Sequence, residues 1–126
     1  MASILKVDTI TGVSTAGSIA VTGEGNSTTT NLQQGLAKAF IRFNAGTSIN
    51  DSFNVASLTD DGTGDYHYNF TNAMGNANYT HVGMGGNVGI TDDTVTTALA
   101  NIGAFNASGS ATDDTRMNGH VTGDLA

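Results

Sequence analysis

Adjacent aspartates are the residues of this sequence that are best suited to chemistry. One pair opens the segment 60–65 (DDGTGD), which offers three carboxylates within six residues. Neighbouring carboxylates can bind Ca²⁺ or divide acid and base roles, although this order lacks the ligand spacing of an EF-hand loop. Gly and Asp at this density are typical of a hairpin turn whose carboxylates accept hydrogen bonds from backbone N–H groups. We predict such a turn, with a cation site as the alternative. The pairs are Asp60–Asp61, Asp92–Asp93 and Asp113–Asp114.

The histidines and glycines do not form a recognisable catalytic or cofactor motif. His67, His81 and His120 could together hold a transition metal, but neither H-x-H nor H-x-x-H spacing occurs. The glycine-rich segment 83–89 (GMGGNVG) lacks the order of a dinucleotide-binding loop, and no nucleophile elbow is present. We therefore predict packing or surface roles for the histidines and a loop at 83–89. We expect no catalytic, cofactor-binding or metal-binding residues, and a protein that is not an enzyme.

Tyr66, Tyr68 and Tyr79 are the candidate receptor or interface aromatics. Exposed tyrosines can stack on sugar rings, so these side chains could bind a host glycan. However, Tyr66, Tyr68 and Phe70 alternate with polar residues, which is the period of a strand with one buried face. The pattern favours a core face or a subunit interface over a sugar-binding surface.

The amino-acid composition limits the kinds of partner and fold that this chain can have. Leu, Ile, Val and Phe contribute 26 of 126 residues, about 21%, close to the roughly 20% below which highly charged chains tend to be disordered. The formal charge is −7, so we expect no nucleic-acid partner and no binding to an anionic membrane. The sequence has no cysteine and no apolar run of membrane-spanning length. We therefore expect the chain to complete its core by association with further copies. The basic residues are Lys6, Lys38, Arg42 and Arg116.

Residues 1–30 are predicted to be an N-terminal extended arm for attachment or trimerisation. Apolar residues recur at 4–10 in a first strand-like stretch and alternate at 19–21 in a second. Two such stretches cannot bury themselves as an isolated hairpin, so we expect them to pack against another chain by strand pairing. The polar segment 26–31 (NSTTTN) is either a flexible loop or an extended strand between chains. The predicted particle-attachment or trimer contacts are Ile4, Val7, Ile10, Ile19 and Val21.

A short helical linker is predicted at 31–39 (NLQQGLAKA). Asn31 is a suitable N-cap, and Leu32 and Leu36 share one face of the helix. Gly35 lowers helix propensity by roughly 1 kcal/mol relative to Ala. We therefore expect one or two helical turns at most.

Residues 40–126 are predicted to form a β-sandwich-like exposed domain. Short, near-regularly spaced strands are separated here by Gly, Asn and Asp turns. The fold class is therefore all-β: a β-sandwich or partial barrel domain with an N-terminal extended β arm, in a trimer. The segment 94–105 is either strand or short helix, and Met117 and Val121 are candidate core positions. The predicted strands are 40–44, 52–58, 65–71 and 79–84.

Several segments of the chain resemble one family. The opening ILKVDTITGVSTAGSIAVTG (4–23) resembles N-terminal segments of tail fibres and related virion surface proteins of bacteriophages, especially marine ones. The resemblance implies a β-rich domain on a trimeric stalk, incorporated into a virion and without enzymatic activity. The segments that resemble the C-terminal domain of the same group are LQQGLAKAFIRFN (32–44), SFNVASLTDDGTGDYHYNFTNAM (52–74), NANYTHVG (76–83) and GDLA (123–126).

We therefore expect a structural protein of a phage particle, a short trimeric tail fibre or fibre-like surface protein that acts in virion assembly and host attachment. The chain is much shorter than a typical tail fibre and lacks a long shaft, so a capsid decoration or head-fibre protein is the first alternative. A glycan-binding adhesive module is the second. The expected partners are further copies in a homotrimer, other virion proteins of the tail or capsid, and a host surface glycan or receptor. The expected location is the virion, assembled in the bacterial cytoplasm, with no cofactor and no membrane insertion.

Overall fold

The chain divides into two compact units, Met1–Gly35 and Leu36–Ala126, and each is described by itself. Within the described part of the chain, regular structure is almost wholly β, with a single four-residue helix. The all-β prediction is therefore confirmed. In the computed structural model, the described residues are 4–12, 19–23, 28–85, 89–91 and 94–123.

The N-terminal unit contains a small antiparallel hairpin followed by one helical turn. Strand β1 (Ala20–Thr22) pairs with strand β2 (Thr29–Asn31). Helix α1 (Leu32–Gly35) follows directly, and the Leu32 N–H donates to the carbonyl oxygen of Ile19 at 2.8 Å. The last three residues of the polar segment 26–31 are therefore a strand that pairs within the chain.

Residues 4–12 carry no strand within one chain, and the predicted pairing of this segment with another chain stays a prediction. The prediction of a helix as far as residue 39 is wrong. The helix ends at Gly35, and residues from Ala37 onward belong to strand β3 (Ala37–Phe43). Ala39 is buried and pairs with Val121. This long-range pairing outweighs the weak helix propensity of a segment interrupted by glycine.

Within the described residues, the second unit contains eight strands in two four-stranded antiparallel sheets. After β3 come β4 (Ile49–Phe53), β5 (Val55–Gly62), β6 (Asp65–Phe70), β7 (Thr80–Gly85), β8 (Gly89–Thr91), β9 (Leu99–Phe105) and β10 (Met117–Thr122). Sheet 1 has the strand order β4-β3-β10-β7, and sheet 2 has the order β5-β6-β9-β8. Side chains from both sheets form one hydrophobic core, which is the arrangement of a β-sandwich.

The chain passes from sheet 1 to sheet 2 at Asn54, which corrects the prediction of one continuous strand at 52–58. Asn54 has a positive φ of 56°, a conformation that asparagine tolerates better than most residues. Its Nδ2 donates to the carbonyl oxygens of Lys38 at 2.9 Å and Asn72 at 3.0 Å, and its Oδ1 accepts from the Asn72 N–H at 2.7 Å. The side chain thus holds a corner that divides the predicted strand into β4 and β5.

The C-terminal part of the domain is also β. The segment 94–105, for which strand and helix were both open, contains strand β9 with Ala100, Ile102 and Ala104 in the core. Strand β7 extends to Gly85 and β8 begins at Gly89, so the loop predicted at 83–89 is wrong at both ends, and residues 86–88 lie outside the described residues. Met117 and Val121 are fully buried, which confirms them as core positions.

Aromatic side chains fill much of the space between the sheets. Tyr66, Tyr68 and Phe70 alternate along β6 and all point into the core, and the rings of Phe43 and Tyr66 meet edge to face at 5.3 Å. One chain therefore closes a core of its own, so the scarcity of bulky residues does not by itself require association. The buried hydrophobic residues are Ala39, Ile41, Phe43, Tyr66, Tyr68, Phe70, Met74, Tyr79, Ala100, Ile102, Ala104, Met117 and Val121.

Candidate functional site

The predicted attachment contacts of the N-terminal unit are exposed, apart from Ile19. In the segment 4–12, the exposed fractions are 79% for Ile4, 52% for Val7 and 58% for Ile10. Val21 on β1 is 51% exposed, and Ile19 is half-buried. Contiguous exposed apolar side chains are typical of a surface that binds another protein.

The three tyrosines lie in the core and cannot stack on a sugar from solution. Tyr66 and Tyr68 are fully buried, and Tyr79 is 9% exposed. The Tyr68 hydroxyl lies 3.0 Å from Nε2 of His81, and the Tyr79 hydroxyl donates to the carbonyl oxygen of Leu99 at 2.8 Å. Their burial excludes a receptor-binding surface at these positions and supports the core-face interpretation.

The carboxylates of the segment 60–65 have three separate partners. Asp60 Oδ1 accepts from the Gly62 N–H at 3.0 Å, Asp61 Oδ2 pairs with Nδ1 of His67, and Asp65 Oδ1 accepts from the Asn101 side chain at 2.9 Å. Gly62 and Asp65 are cross-strand neighbours, so the segment is a hairpin with a two-residue turn, as predicted. Among the described residues, no group of three or more His, Cys, Asp or Glu side chains could hold a metal ion.

Asp113 connects this hairpin to the segment before β10. Its Oδ1 accepts from the backbone N–H of Gly64 at 2.7 Å and from the hydroxyl of Tyr66 at 2.9 Å. Burial, and then the hydrogen bond to the Asp113 carboxylate, raise the pKa of Tyr66 well above its usual range. Asp114 caps the adjacent backbone by accepting from the Arg116 N–H at 3.0 Å. All four aspartates of the pairs Asp60–Asp61 and Asp113–Asp114 therefore have a structural partner. The pair at 92–93 lies outside the described residues.

The three histidines lie in three different places, two on outer sides of the sheets and one in the core. His67 is on the outer side of sheet 2, where it pairs with Asp61. His81 points into the core beside Tyr68, and their rings meet edge to face at 5.6 Å. His120 is exposed on the outer side of sheet 1. The sandwich does not bring these side chains together, and this agrees with separate packing and surface roles.

Sequence patterns missed one surface, the outer face of sheet 1, which consists of Phe40, Phe53, Val82, Met84 and His120. Four of these residues are cross-strand neighbours in one row: Phe53 pairs with Phe40, Phe40 with His120, and His120 with Val82. The exposed fractions are 50% for Phe53, 57% for Val82 and 67% for Met84. The alternation of apolar residues along 80–85 could have indicated this face. It does not distinguish an outward side from an inward one.

The described residues include no helix that is long and apolar enough to cross a membrane. Comparison of the chain with protein-family models, with curated proteins and with solved structures finds no match.

Proposed function

We propose that this chain is a non-enzymatic structural protein of a bacteriophage particle, a short trimeric tail fibre or fibre-like surface protein that acts in virion assembly and host attachment. The observation that carries the proposal is the division into a β domain with its own closed core and a separate N-terminal unit with exposed apolar side chains. A protein bound to a particle through one unit needs the other to be stable without that contact.

The N-terminal unit supplies enough apolar surface for attachment. Complete burial of an aliphatic side chain contributes about 1.5–3 kcal/mol, and Ile4, Val7 and Ile10 are each at least half exposed. Burial of all three against a virion protein, or against further copies of this chain, therefore stabilises the contact by several kcal/mol before the cost of ordering the segment.

The side chains that could take part in acid–base or metal chemistry instead make hydrogen bonds that hold the fold together, and this supports a structural role. Asp60 and Asp113 accept hydrogen bonds from turn backbone, and His81 is engaged with a core tyrosine. Groups arranged in this way hold turns and strands in place. Their partners come from the protein itself and not from a cleft where a substrate would bind.

Location on the particle separates the main proposal from its alternative, a capsid decoration or head-fibre protein. Purified particles carrying this chain are labelled with an antibody against it and imaged by electron microscopy. Label at the tail supports a tail fibre, label over the head supports a decoration or head-fibre protein, and particles without label contradict a virion role. The three tyrosines do not support the glycan-binding alternative, because their side chains are buried and cannot stack on a sugar.

Paired variants test whether the N-terminal unit makes the attachment. Ile10→Asp places a charge in the apolar segment, and Thr9→Asp places the same charge on the neighbouring exposed residue. We expect Ile10→Asp to reduce the amount of the protein that copurifies with particles, and Thr9→Asp to leave it near the wild-type level. Equal incorporation of both variants would show that the apolar segment does not attach the protein.

A further inference from the structure

We draw no further inference here: the strongest candidate, the outer face of sheet 1 with its exposed side chains Phe53, Val82 and Met84, carries none because nothing in the structure shows what covers it.

Discussion

Gly64 is the position where a single methyl group is expected to damage the fold most clearly. It lies in the two-residue turn between β5 and β6 with a φ of +69°. A Cβ at this residue would lie 2.5 Å from the carbonyl oxygen of Ala104 and 2.7 Å from the backbone nitrogen of Thr112. Both are backbone atoms, so no side-chain rotation relieves the overlap. Gly64→Ala must therefore displace the turn from β9 or from the segment after it.

The magnitude follows from the bonds that meet at this turn. The left-handed conformation costs Ala about 1 kcal/mol relative to Gly. The Gly64 carbonyl accepts from the Ala104 N–H at 2.7 Å, and the Thr112 N–H donates to the Ala104 carbonyl at 3.0 Å. Displacement weakens both bonds, at about 1 kcal/mol each, and also the charge-assisted bond from the Gly64 N–H to Asp113. We expect a total loss of about 3–5 kcal/mol in the free energy of unfolding.

Gly109→Ala is the matched control, because Gly109 has a similar φ of +78° and nothing within 4 Å of its Cβ position. It should lose only the conformational part, about 1 kcal/mol. Urea unfolding followed by circular dichroism measures both variants, and each kcal/mol shifts the Tm of a domain of this size by roughly 4–8 °C. Equal losses in the two variants would refute the argument that close backbone contact, and not φ alone, requires glycine at Gly64.

Three further changes test the core and the sheet corner. The pKa of Tyr66 is raised by burial and by Asp113, so the folded state favours the neutral phenol and stability is lost as the pH rises above about 10. In Tyr66→Phe, the urea midpoint should fall less between neutral and alkaline pH than it does in the wild type. An equal fall in both proteins contradicts this. Asn54→Ala should lower the free energy of unfolding by about 2–4 kcal/mol, because it removes the side-chain hydrogen bonds and leaves Ala with a positive φ. Asn54→Gly relieves only the φ and should lose about 1 kcal/mol less. Equal Tm values for the two variants would assign the whole effect to the hydrogen bonds. Gly119→Ala places a Cβ 3.0–3.2 Å from three core side chains and should lower the free energy of unfolding by about 1–3 kcal/mol. Ile102→Val removes one of those contacts. Denaturation of the double variant should therefore show a smaller loss of stability than the sum of the two single changes.

Local chemistry was sufficient to predict the β hairpin and one strand face. The turn at 60–65 follows from Gly and Asp at short range, and the hydrogen bond from the Gly62 N–H to the Asp60 carboxylate forms within the segment itself. The alternation of Tyr66, Tyr68 and Phe70 predicted a strand with one apolar side, because side chains alternate with a period of two in any strand. These features need no knowledge of distant residues.

The candidate surfaces were predictable only in part. Exposed apolar residues in the N-terminal unit were expected, since two short strand-like stretches cannot bury themselves as an isolated hairpin. The outer face of sheet 1 was not expected, because Phe40, Phe53 and Val82 are far apart in sequence and meet only through strand pairing.

The sequence by itself determined the β class, the hairpin at 60–65 and the spacing of the apolar side chains, since each depends on residues that are neighbours along the chain. Tertiary structure decided the rest. It assigned the tyrosines to the core, changed 37–39 from helix to strand, and divided 52–58 at Asn54. In each case the deciding contact joins residues that are distant in sequence, as between Ala39 and Val121, and such a pairing is selected by the packing of the whole sandwich and not by any one segment.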